Sequence, residues 1–136
     1  MRVNLFAGLS AVAVTALVTA CAENTKTTNT GARDYAQYCV ECHGATGKGD
    51  GPAAAALNPK PVDLARLSAA NGGKFPRANA MAHIYGFTMG RSESQMPMFG
   101  DLLEGESVPF DSGDGIQTAT PVRLVALIEY LEGMQK

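Results

Sequence analysis

Cys39-Val40-Glu41-Cys42-His43 constrains this chain more than any other stretch of its sequence. On a helical turn, residues i and i+3 share a face. Two thiols so placed can each add to one vinyl group of the same porphyrin. The imidazole that follows sits under the ring and can ligate its iron. Other uses of a cysteine pair fit less well. A dithiol redox site wants a βαβ context, and no alternating strand pattern surrounds the motif. A closed zinc site needs four ligands, and the chain has only two histidines, His43 and His83. A disulfide across this spacing would be strained. One covalently attached haem c is therefore the expected cofactor.

A chain of 136 residues allows one small domain. Hydrophobic residues at 46% exclude disorder of the whole chain. Trp is absent and Phe and Tyr number 5 and 4, while Gly 15 and Pro 7 imply many loops. So loop-rich and aromatic-poor a chain needs a staple, a metal or a cofactor to complete its core. A porphyrin is a large apolar disc, and without it the domain should be poorly folded. The net charge of -2 gives no footprint for nucleic acid.

The first 20 residues read as a signal segment. A short positive start precedes an apolar run from Leu5 to Val18, too short to span a bilayer comfortably. The run ends in Leu17-Val18-Thr19-Ala20-Cys21, which resembles the bacterial lipobox. That resemblance implies a lipid on Cys21, export, and residence on the periplasmic side of a bacterial membrane. Acyl chains would hold the protein there without spanning. All three cysteines then have a use, one for lipid and two for haem. Residues 21–30 are polar and non-periodic and read as a flexible tether, with a reach of roughly 15–18 Å. The haem domain is expected over 31–136.

The remaining pattern is helical, which makes the domain all-α. Gly31, Tyr35 and Cys39 recur every four residues, one helical stripe. Short helices are expected over 63–69 and 78–87, punctuated by Gly72-Gly73 and Gly90. Leu124, Leu127, Ile128 and Leu131 form the apolar face of a last helix. Thr120 suits its N-cap, Pro121 its first position and Gly133 its stop. Residues 104–120, with Pro109 and Ser112-Gly113-Asp114-Gly115, read as an extended surface loop. For the second iron ligand the candidates are Met81, Met89, Met96, Met98 and His83. A methionine opposite histidine raises the reduction potential relative to two imidazoles.

These segments resemble class I c-type cytochromes. The resemblance is carried by residues 31–44 with the attachment motif, by Gly47-Lys48-Gly49-Asp50-Gly51-Pro52, by Pro59-Lys60-Pro61-Val62-Asp63-Leu64, by Met96-Pro97-Met98-Phe99-Gly100 and by the helix from Val122 to Leu131. The nearest subgroup is the single-haem domains similar to cytochrome cbb3 oxidase subunits. The resemblance implies His43 and Met96 as axial ligands. It implies a proline carbonyl accepting from the outer nitrogen of His43, with Pro61 the choice and Pro52 and Pro59 the alternates. It also implies that the last helix crosses the first at Gly31, with Tyr130 against the glycine and Tyr35 packed in the core. The function implied is electron transfer between respiratory-type redox proteins, without catalysis by the polypeptide. The alternatives are a haem subunit of a larger oxidase or dehydrogenase, and a haem enzyme or gas sensor with an open iron position. Five basic residues against Asp63 between Lys60 and Arg91, then six acidic residues from Glu93 to Asp114, suggest a docking patch.

Overall fold

The computed structural model describes residues 22–87 and 95–136, with side chains from Thr30 onward. The signal segment, Cys21, Met89, Arg91 and Glu93 lie outside the described residues. The described helices are α1 (Ala22–Tyr38), α2 (Val40–His43), α3 (Leu67–Ala70), α4 (Arg77–Tyr85), α5 (Gly100–Leu103) and α6 (Val122–Gly133). Single 3-10 turns occupy Ala54–Ala56 and Leu64–Arg66. Among the described residues no helix is long and apolar enough to cross a membrane.

Helices α1 and α6 form the frame. A methyl group on Gly31 would lie 2.6 Å from the carbonyl carbon of Ala126 and 3.0 Å from Cβ of Tyr130. Only glycine lets the two backbones approach so closely. The rings of Tyr35 and Tyr130 meet nearby, with centroids 5.3 Å apart, as the resemblance implied. Burying the apolar face of α6 joins Leu124, Leu127, Ile128 and Leu131 to Tyr35, Phe75, Ile84 and Leu103 in one core. Arg123 of α6 also grips Asp34 of α1, donating from Nε at 3.0 Å and from Nη2 at 2.8 Å.

The structure departs from the sequence expectations at several elements. Residues 22–30, expected as a flexible tether, are helical and continuous with the rest of α1. They contain neither proline nor glycine, and extending an existing helix needs no new nucleus. Helix α4 ends at Gly86, whose φ of 103° suits a left-handed cap, rather than continuing to Phe87. The short helix expected over 63–69 is split. Asp63 accepts from the Ala65 amide at 3.0 Å and starts a 3-10 turn that passes into α3.

The fold is not purely α-helical. Residues 104–120, expected as a loop, hold an antiparallel hairpin of β1 (Ser107–Asp111) and β2 (Gln117–Pro121), with Pro109 opposite Ala119. The Asp111 carboxylate builds the turn by accepting from the amides of Gly113 at 2.7 Å and Gly115 at 2.9 Å. Both glycines have positive φ, 110° and 81°. Phe110 packs on the core, and the Arg77 guanidinium lies 5.8 Å from its ring. The hairpin also replaces the expected cap of α6. Thr120 and Pro121 belong to β2, the Thr120 hydroxyl donates to Thr118 O, and the Val122 amide donates to Glu106 O at 2.8 Å. Gly133 is the last residue of α6, with Met134 as its C-cap.

Candidate functional site

The attachment motif lies where α1 turns into α2. Helix α1 stops at Tyr38, and Cys39 becomes the N-cap of α2 with φ −114° and ψ −32°. The Cys39 carbonyl then accepts from the Cys42 amide at 3.2 Å and the His43 amide at 2.8 Å. One tight turn therefore carries both thiols and the imidazole. The turn is locked from behind: the buried Tyr35 hydroxyl donates to Gly44 O at 2.7 Å, and Gly49 N donates to His43 O at 2.9 Å.

Both cysteines are unbridged and half-buried. Burial, with Asp34 and Cys42 nearby, pushes the Cys39 thiol up to about 12. A redox dithiol or a zinc thiolate needs the opposite shift. Among the described residues no cluster of three or more His, Cys, Asp or Glu could hold a metal ion.

His43 is buried, and desolvation lowers its pKa, partly opposed by its hydrogen bond to Val62. Its neutral imidazole is thus favoured, the form in which a ring nitrogen ligates metal. The Nδ1 hydrogen is donated to Val62 O over 3.4 Å, so Nε2 is the nitrogen that could ligate a metal. The acceptor is Val62 and not Pro61, Pro52 or Pro59. Both the Pro61 and Val62 carbonyls approach Gly49, and the Val62 oxygen is the one within reach of Nδ1. The Leu64 amide donates to Gly47 O at 2.6 Å and fixes this register. The residue type expected was wrong by one position, because a backbone acceptor carries no side-chain signal.

The methionine candidates separate by environment. Met96 is half-buried against the core cluster, in the segment leading to α5. Met98 is 75% exposed and lies over Gly86. Met81 packs on the core from α4, and His83 is half-buried on the same helix. The segment after Met96 is pinned by Phe99, whose amide donates to Ile84 O at 2.9 Å and whose ring lies 6.2 Å from Tyr38. Two unbridged thiols and an imidazole oriented from its outer nitrogen are the groups that would hold haem c, and the Met96 thioether is half-buried against the core. The Asp34–Arg123 pair beside this site was not anticipated from sequence.

The family model for Cytochrome c matches residues 29–135. No curated protein and no solved structure matches the chain.

Proposed function

The chain belongs to the cytochrome c family, and from that membership we propose that it is a membrane-tethered, single-haem electron carrier between respiratory-type redox proteins. The observation that carries the reading is the attachment turn, with two unbridged thiols beside an imidazole whose outer nitrogen is already engaged. Haem c, when bound, supplies a one-electron Fe(III)/Fe(II) couple. The residues do the rest. Cys39 and Cys42 hold the porphyrin through thioethers. His43 would ligate iron from Nε2 while the Val62 carbonyl keeps the ring oriented. Met96 would supply the second ligand, a neutral sulfur that favours the ferrous state and raises the potential relative to a second imidazole. Tyr35 and α6 close the core behind the attachment turn.

Cys21 carries the lipid in this reading, on the periplasmic side of a bacterial membrane. A helical stretch 22–30 makes the spacer rigid and short, about 13 Å at the helical rise. A donor or acceptor anchored in the same membrane is within reach of a domain so placed. The acidic run from 93 to 114 and the basic stretch before it give partners a charge pattern that speeds encounter at low salt. Cys21→Ser should move the protein from the membrane fraction to a soluble or unprocessed form.

The reading is tested with ferrous spectra of the purified protein, with and without carbon monoxide at neutral pH. A carrier with both axial positions filled ignores the gas. Rapid binding would instead indicate an open iron position and a haem enzyme or gas sensor. Co-purification from solubilised membranes distinguishes a free carrier from a subunit of a larger oxidase or dehydrogenase.

A further inference from the structure

We infer that Arg123 is a positioning residue that couples the methionine segment to the haem-attachment helix. The inference rests on Met96 as the distal ligand and goes beyond it. A guanidinium presents five donors in a fixed fork, and here they serve two elements. Nε and Nη2 donate to the two carboxylate oxygens of Asp34 in α1, at 3.0 and 2.8 Å. Asp34 is 1% exposed, and a carboxylate so buried requires a partner. Nη1 donates to the carbonyl of Leu102. Leu102 lies in the single turn of α5, where the last carbonyls lack partners within the helix.

The two anchor points flank the site. On the α1 side, Asp34 and Tyr38 lie one turn apart, and Tyr38 immediately precedes Cys39. The Arg123 guanidinium also lies 6.0 Å from the Tyr38 ring. On the other side, Phe99 follows Met96 by three residues, and its ring meets the same Tyr38. One side chain thus holds the strand of chain that leaves Met96 against the helix that presents the thioether cysteines. The second ion pair of α6, Arg77–Glu132, provides a contrast. Its side chains are 38% and 37% exposed, and it reaches α4 rather than the methionine segment. Solvent screens such a pair, and its loss should be nearly silent.

The test uses the full-length haem-bound protein as Arg123→Gln, Arg123→Lys and, for comparison, Arg77→Gln. The first readout is hydrogen exchange at the amides of Phe99, Leu102 and Leu103. All three are hydrogen-bonded within or next to α5. Losing a charge-assisted contact should raise their exchange roughly ten- to a hundredfold in Arg123→Gln. The second readout is the temperature at which the long-wavelength sulfur-to-iron band disappears, set against the loss of helical circular dichroism. Coupling predicts that the band is lost first in Arg123→Gln, opening a gap absent from the parent. Arg123→Lys retains the charge without the fork and should fall between. Arg77→Gln should move neither readout.

A purely structural Arg123 would lower both thermal transitions together and leave exchange at 99–103 at the parent rate, and that result overturns the inference. If Arg123→Gln does not accumulate, Arg123→Lys decides by the same two readouts. If the parent shows no Met96-dependent band, the ligand assignment fails by itself. The exchange measurement then decides the coupling alone, supporting it if raised and refuting it if unchanged.

Discussion

Gly31→Ala places one methyl group at the crossing of α1 and α6, and the structure fixes what it meets. The new carbon would lie 2.6 Å from the carbonyl carbon of Ala126, closer still to that carbonyl's oxygen, and 3.0 Å from Cβ of Tyr130. Carbon atoms in favourable contact sit about 3.5–4.0 Å apart. The helices must therefore part by about 1 Å, because backbone atoms cannot rotate aside as a side-chain end would. Overpacking of this kind costs about 1–3 kcal/mol. A radial gap of about 1 Å also forfeits up to about half of each dispersion contact it spans. Those contacts include Tyr35 on Tyr130 and the buried face of Leu124, Leu127 and Ile128. Alanine returns about 0.5–1 kcal/mol of helix preference over glycine. The net loss is about 2 kcal/mol, or roughly 8 °C in midpoint for a domain near 100 residues. Thermal and urea unfolding of the haem-bound protein, followed by circular dichroism, measures it. Gly133→Ala is the matched control, since nothing lies within 4 Å of a methyl group there; it should be neutral or slightly stabilising. A Gly31→Ala protein as stable as its parent, or two variants that lose stability equally, would refute the close-crossing argument.

Three further outcomes are expected. Tyr35→Phe removes the hydroxyl donated to Gly44 O, but that carbonyl keeps the Gly47 amide at 3.2 Å; the urea midpoint should fall by the equivalent of about 0.5–1.5 kcal/mol. Met96→Ala should lower the reduction potential, abolish the long-wavelength sulfur-to-iron band and admit carbon monoxide to ferrous iron, whereas Met98→Ala, at a 75% exposed site, should keep the band and change stability by no more than about 0.5 kcal/mol. Asp111 titrates below its ordinary value of 3.8, because the Gly113 and Gly115 amides favour its charged form. A lowered folded pKa means that this support is complete above pH 3.8 and is lost as pH falls through the folded value, so exchange at those two amides should rise in that acid window, and a flat profile would contradict the turn.

What could be read in the sequence was whatever short spacing determines. The attachment motif, the Gly31–Tyr35–Cys39 stripe and the apolar face of α6 each depend on residues within two turns of one another. What could not be read depends on partners distant in the chain. The hairpin is an example. Pro109 and the glycines of 113 and 115 look like breakers one at a time, yet the glycines make the turn that lets 107–111 pair with 117–121. The acceptor for His43 is another, since choosing between adjacent carbonyls needs the register that Leu64 N and Gly47 O establish. Residues 22–30 erred in the other direction. Absence of apolar periodicity removes a reason for burial but does not forbid a helix anchored at one end.

Arg123 shows how a local conflict could have served as a signal. It lies in the first turn of α6, where the helix macrodipole disfavours a cation. An acidic residue would suit that position better, and none is present. Asp34 is the complementary anomaly, a carboxylate beside Tyr35 on the helix that must bury itself against α6. Each is unfavourable by its own neighbourhood, and each conflict disappears when the two side chains meet. Opposite charges that both violate local preference, on the two helices expected to cross at Gly31, are therefore evidence for a tertiary pair. The same reasoning explains why the pair stands beside the haem site. One side chain there joins two separate chain segments, α1 through Asp34 and α5 through the Leu102 carbonyl.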